Sequence, residues 1–101
     1  MKIAVSAKGA GLGAWLDPSF ADCKHFVIVD ENGKFEAWEP NEHADQDIYS
    51  LVENIISLNI DVLITGQLPA DVEKIFQEKG VQVITAEQGS VLELVERYQA
   101  K

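Results

Sequence analysis

The apolar positions of the chain fall into short runs whose period changes near the middle. Residues 2–6, "KIAVS", are β-branched and stop at a glycine-bearing stretch, which predicts a buried first strand. "HFVIVD" (25–30) predicts a second strand, and "ENG" (31–33) a tight turn in which Asn-Gly supplies positive φ. "KFEAWE" (34–39) alternates Phe35 and Ala37 with Glu36 and Trp38, the pattern of a half-exposed edge strand antiparallel to the second.

Over residues 46–58 the spacing of Ile48, Leu51, Val52, Ile55 and Ile56 becomes helical, with Asp45 or Asp47 near the helix start. "DVLIT" (61–65) is a continuous apolar strand ended by Gly66. A second helix begins near Pro69, buries Val72, Ile75 and Phe76, and ends at Gly80. "VQVIT" (81–85) predicts the fifth strand. "SVLELVERYQ" (90–99) predicts the third helix, with Ser90 as N-cap, Glu93 in the capping-box position, and Val91, Leu92, Val95 and Tyr98 facing inward. The order βββαβαβα implies an α/β domain with a mixed five-stranded sheet, the later strands parallel through right-handed crossovers. No linker or repeat interrupts it, so residues 1–101 read as one domain.

Composition narrows the function. Eight Lys+Arg against seventeen Asp+Glu give a net charge of −9, and the basic residues are dispersed, which argues against nucleic acid as a partner. No apolar run approaches a membrane span. The single cysteine permits no intramolecular disulfide, and with no signal peptide the expected location is the cytoplasm.

The chemistry-bearing stretch is "KGAGLGAWLDPSFADCKHF" (8–26). Gly9, Gly11 and Gly13 follow a strand as in a dinucleotide-binding loop, but Pro18 intervenes and no helix opens there, so the stretch reads as a mobile loop and not a phosphate cradle. Strand alternation places Cys23 and His25 on one face, where they could cooperate, and both are soft-metal ligands; two ligands do not close a site. The structural alternative is a small buried cysteine beside a partly exposed histidine. His43, in the acidic segment before the first helix, reads first as a solvated loop histidine and second as a third ligand. Asp30, Glu31, Asp61 and Asp71 do not converge as a two-metal nuclease requires. Ser19, Ser90 and Cys23 lack a recognisable base and oxyanion arrangement. Gly66, at the carboxyl end of a parallel strand, is placed to bring backbone amides to a ligand.

"MKIAVS", the Pro-x-Phe segment leading to "HFVIVD", "NIDVLITGQLP", "FQEKGVQVI" and "GSVLELVE", in this order and spacing, resemble the dinitrogenase iron–molybdenum cofactor biosynthesis family. The resemblance covers nearly the whole chain and is strongest over residues 59–95. It implies a ribonuclease H-like fold with the second strand antiparallel to the rest. It also implies a non-enzymatic carrier of iron–molybdenum cofactor, its precursors or other metal–sulfur clusters, working with cluster-handling proteins. The implied site is the segment before the second strand with the loops at the same end of the sheet.

Within that segment the family pattern, Pro-His-Phe-Gly-Arg followed by Ala or Cys, is replaced by Pro18-Ser19-Phe20-Ala21-Asp22-Cys23. The expected site is therefore Cys23 and His25 as metal ligands, with Ser19, Asp22 and Gly66 lining it. Arg replaced by Asp disfavours an anionic cluster. The alternative function is a protein-interaction or regulatory domain that keeps the fold without the ligand, with Trp15 and Trp38 as exposed partner contacts.

Overall fold

Short β-branched runs pair into a sheet because their alternate side chains can be buried on both faces at once. The computed structural model describes residues 2–20, 23, 25–39 and 48–99. Its elements are β1 (Ile3–Ala7), β2 (His25–Val29), β3 (Phe35–Trp38), α1 (Ile48–Ile56), β4 (Val62–Thr65), α2 (Ala70–Glu78), β5 (Gln82–Thr85) and α3 (Val91–Gln99). The expected order βββαβαβα holds. The five strands form one mixed sheet in the order β3-β2-β1-β4-β5. β2 runs antiparallel to β1 and β3, while β1, β4 and β5 are parallel.

Alternation divides the core between the two faces. Ala4, Phe26, Ile28 and Leu63 pack against Leu51, Val52 and Ile55 of α1 and Val72 and Phe76 of α2. Ile3, Val5, Val27, Val29, Val62 and Ile64 pack against Val91, Leu94 and Val95 of α3. The architecture is a sheet between two helical layers, with α1 and α2 on one side and α3 on the other.

Local chemistry ends each element. Gly33 (φ 82°) closes the β2–β3 turn, and Asp30 Oδ1 accepts from the amides of Asn32 at 2.9 Å and Lys34 at 3.0 Å. Gly33 alone in that Asn-Gly pair takes the left-handed conformation. Gly80 (φ 82°) stops α2. The Ser90 hydroxyl accepts from the Glu93 amide at 3.2 Å, as an N-cap does, and donates to Glu93 Oε1 at 3.2 Å, so Glu93 meets the cap's hydroxyl in place of its amide.

Three expectations need correction. Leu92 is exposed, and Leu94 takes its place inside. At 100° per residue, Val91, Leu94, Val95 and Tyr98 share a narrow arc that Leu92 falls outside. Trp38 is not an exposed contact: it is half-buried, its ring centroid 5.9 Å from that of Phe26. The stretch after β1 is held by backbone hydrogen bonds, not loose. Asp45, Asp47 and His43 lie outside the described residues.

Candidate functional site at the carboxyl end of the parallel strands

Past Ala7 the chain turns through the three glycines and comes back on itself. Ala7 and Leu16 form an antiparallel bridge, and the Lys8 amide donates to the Trp15 carbonyl at 2.9 Å. The returning strand turns its carbonyls toward α3. The Val91 amide donates to Ala14 O at 2.9 Å and the Leu92 amide to Leu12 O at 3.0 Å, while those of Glu93 and Leu94 bond Ser90 Oγ and O. The amides of Val91, Leu92 and Glu93, which the helix itself leaves unpaired, are thereby satisfied, and the Leu94 bond is the first within the helix. The glycine loop thus caps a helix with its own carbonyls, the reverse of a phosphate cradle, which would present amides.

Beyond Leu16, the Asp17-Pro18-Ser19 corner is strapped across the ends of β1 and β4. Asp17 N donates to Ser6 O at 3.0 Å, and Ser6 Oγ donates to Asp17 O at 2.8 Å. Ser6 Oγ also lies 2.7 Å from Thr65 Oγ1. With the Ser6 proton committed to Asp17, the Thr65 hydroxyl is the donor in that pair. Both side chains are fully buried. Ser19 N donates to Asp17 Oδ1 at 3.0 Å, and Gln67 N to Pro18 O at 3.2 Å. The strap and the β4 end therefore touch at Ser19 and Gln67, with Gly66 directly beneath Pro18.

Between this strap, the β5 end and the start of α2 lies an open groove of about 1110 Å³. Its walls combine Phe20, Ile48, Leu68 and Pro69 with the carboxylates of Glu73 and Glu87. Ser19 and Gly66, two of the expected site residues, both line it. Among the described residues no Lys, Arg or His does so.

Cys23 and His25 are placed differently. Cys23 precedes β2, and its side chain lies in the α1/α2 core beside Phe20 and Phe26. Its sulfur lies against the carbonyl oxygens of Ala7, at 3.5 Å, and His25. Burial pushes the thiol pKa up to about 11, against the smaller effect of those two hydrogen bonds. His25 alternates with Val27 and Val29 toward the opposite face, its Nε2 sitting 3.1 Å from Glu39 Oε1 and its buried Nδ1 unpartnered among the described residues. The one-face expectation for this pair fails because Cys23 lies outside the strand, where alternation does not carry back. Asp22 lies outside the described residues. Among the described residues no three of His, Cys, Asp and Glu gather as metal ligands.

The other candidate acids serve local structure. Asp61 Oδ2 accepts from the Lys2 amide at 2.9 Å, and the Tyr49 hydroxyl donates to Asp71 Oδ2 at 2.5 Å. That hydrogen bond, followed by the Asp71 and Val72 amides, holds the Asp71 carboxyl below its usual pKa. Sequence reading missed the Ser6–Thr65 pair and the groove carboxylates. Ser6 and Thr65, the polar residues late in otherwise apolar strands, were the available signal.

Solved structures share this architecture. The crystal structure of PH0822 matches with a TM-score of 0.86 at 18% identity, over 99% of this chain and 89% of that one. The NMR structure of the Thermotoga protein TM1290, described as NifB-like and placed in the DUF35 family, matches with a TM-score of 0.81 at 24% identity, over 98% and 87%. The apo form of the orange protein from Desulfovibrio gigas matches with a TM-score of 0.84 at 27% identity, over 98% and 87%. No curated protein sequence matches significantly. The family model for dinitrogenase iron–molybdenum cofactor matches residues 1–101, and the chain belongs to that family.

Proposed function

We propose that the chain is a small, non-catalytic, cytoplasmic cofactor-handling protein, one domain over residues 1–101, whose cargo is iron–molybdenum cofactor or another metal–sulfur cluster. The observation that supports this is the family match along the whole chain. The orange protein, more than a quarter identical, was solved in an apo form, which implies a form carrying a prosthetic group. Nucleic acid is not among the proposed partners, given the acidic balance of the chain. No described helix is long and apolar enough to cross a membrane.

The described donors are not a ready ligand set for such a cargo. Ligation through Cys23, with His25 second and Ser19 and Asp22 lining, requires a thiol of pKa about 11 to lose its proton and leave its carbonyl partners. Contact through Ser19 and Gly66 in the groove requires neither. Anaerobic reconstitution with iron, molybdate and sulfide, followed by metal analysis and a visible spectrum, tests the reading on wild type and Cys23→Ala. Stoichiometric metal lost in the variant supports carriage through Cys23, and metal retained supports carriage through the groove. No metal in either leaves the second reading, a partner-binding domain on an inherited fold. One observation favours that second reading: the charged groups lining the described groove are carboxylates.

A further inference from the structure

An anion arriving at this end of the sheet finds its natural receptors already used. The first four amides of α3 are bonded to Ala14, Leu12 and Ser90. The start of α2 carries Asp71 and Glu73 in its first turn. The amides of Val72 and Glu73 bond Pro69 O, both at 3.1 Å. The positive ends of both helices are thus answered within the chain.

The groove beside them pairs apolar walls with carboxylates. Leu68 and Pro69 offer a surface for aliphatic side chains, with Phe20 buried behind them, and Glu73 and Glu87 add negative charge in a protein of net charge −9. Its volume, about 1110 Å³, exceeds the roughly 300–1,000 Å³ of an ordinary small-molecule site. Thr85, which ends β5, also lines it.

We infer that this groove seats a basic, apolar-flanked segment of a partner protein, the lysine or arginine groups meeting Glu73 and Glu87 while aliphatic side chains meet Leu68 and Pro69. Docking on the metal-free chain needs no cargo, so its failure is distinguishable from a failure of cargo carriage. It places the partner over Ser19 and Gly66.

The test uses metal-free, isotope-labelled protein and a synthetic peptide of about eight alternating leucine and lysine residues, followed by amide chemical shifts. A matched peptide with glutamate in place of lysine is the control. Expected are shifts centred on Gln67, Leu68, Glu73, Ala86 and Glu87 with the basic peptide alone, weakening several-fold as salt is raised. Glu73→Gln and Glu87→Gln each weaken binding about two- to five-fold, as exposed ion pairs do, while Glu96→Gln on α3 changes nothing. The double reversal Glu73→Lys with Glu87→Lys transfers preference to the glutamate peptide. Shifts spread over α3, equal weakening by Glu96→Gln, or no shifts with millimolar basic peptide would overturn the inference.

Discussion

A Cβ added to Gly66 would stand 2.1 Å from the carbonyl oxygen of Pro18 and 2.4 Å from its Cα. The strap over the groove and the end of β4 are therefore in backbone contact, and only glycine fits between them. Gly66→Ala must lift Pro18 and break the Gln67–Pro18 hydrogen bond. The expected cost is about 3 kcal/mol, the upper end of overpacking. Gly11 and Gly13 have open space around the same position and no left-handed φ. Gly11→Ala and Gly13→Ala should be neutral, or stabilising by about 0.5 kcal/mol through the unfolded chain. Urea midpoints of the three variants measure the contrast, and equal losses in all three would show that the strap contact is not special.

Ser6 and Thr65 make a second junction of the same strap. Ser6→Ala leaves a buried Thr65 hydroxyl and the Asp17 carbonyl each short of a partner, so the loss should be about 1–3 kcal/mol. Thr65→Val keeps the shape and removes only a donor, since the Ser6 proton goes to Asp17. It should cost less than Ser6→Ala. The double variant should be less damaging than the sum of the singles, because the pair is removed together. Additive losses in a double-mutant cycle would contradict the bonding order given to these hydroxyls.

How far the sequence reached follows from the kind of signal each feature carries. Periodicity in "HFVIVD" and "SLVENII", and stop signals such as Gly33, Gly80 and Ser90, are local, and they located the strands, helices and turns to within a residue or two. Leu92 was misassigned because two adjacent apolar residues at a helix start fit either of two arcs until Leu94 is seen to fill the core. Trp38 resists reading from its own segment because its burial depends on Phe26 across the sheet. The Ser6–Thr65 pair joins residues 59 positions apart, and only the parallel pairing of β1 with β4 brings them together. Gly66 was identified as a ligand-side glycine; its contact with Pro18 depends on how the strap is laid down, a tertiary fact that spacing does not encode.

The Tyr49 hydroxyl on Asp71 links the first turn of α1 to that of α2. It favours the charged carboxylate, so Tyr49→Phe should raise the Asp71 pKa back toward 3.8, its ordinary value. Because the folded pKa is lowered, any stability this group adds is present above the unfolded value and fades as pH falls through the folded one. Carboxyl carbon chemical shifts across an acid titration of wild type and Tyr49→Phe read the change directly. An unchanged Asp71 titration would remove Tyr49 as the leading cause.

Cys23 gives the alkaline counterpart. Its thiol is raised from 9.0 to about 11 in the fold, chiefly by burial, so the folded chain keeps a proton that the unfolded chain releases. Its contribution is fully present below pH 9 and is lost as pH rises toward 11, the slope of stability with pH being negative where the folded state binds more protons. Denaturant titrations between pH 8 and 11 should show this decline in wild type and a flatter one in Cys23→Ala. The thiolate is the reactive form, so native protein at about pH 8 should resist iodoacetamide and denatured protein should react completely. Rapid alkylation of the native chain would mean that the sulfur leaves its contacts with Ala7 and His25 readily. That outcome would make Cys23 accessible to a metal–sulfur cargo; slow alkylation with metal bound after reconstitution would instead direct the cargo to Ser19 and Gly66.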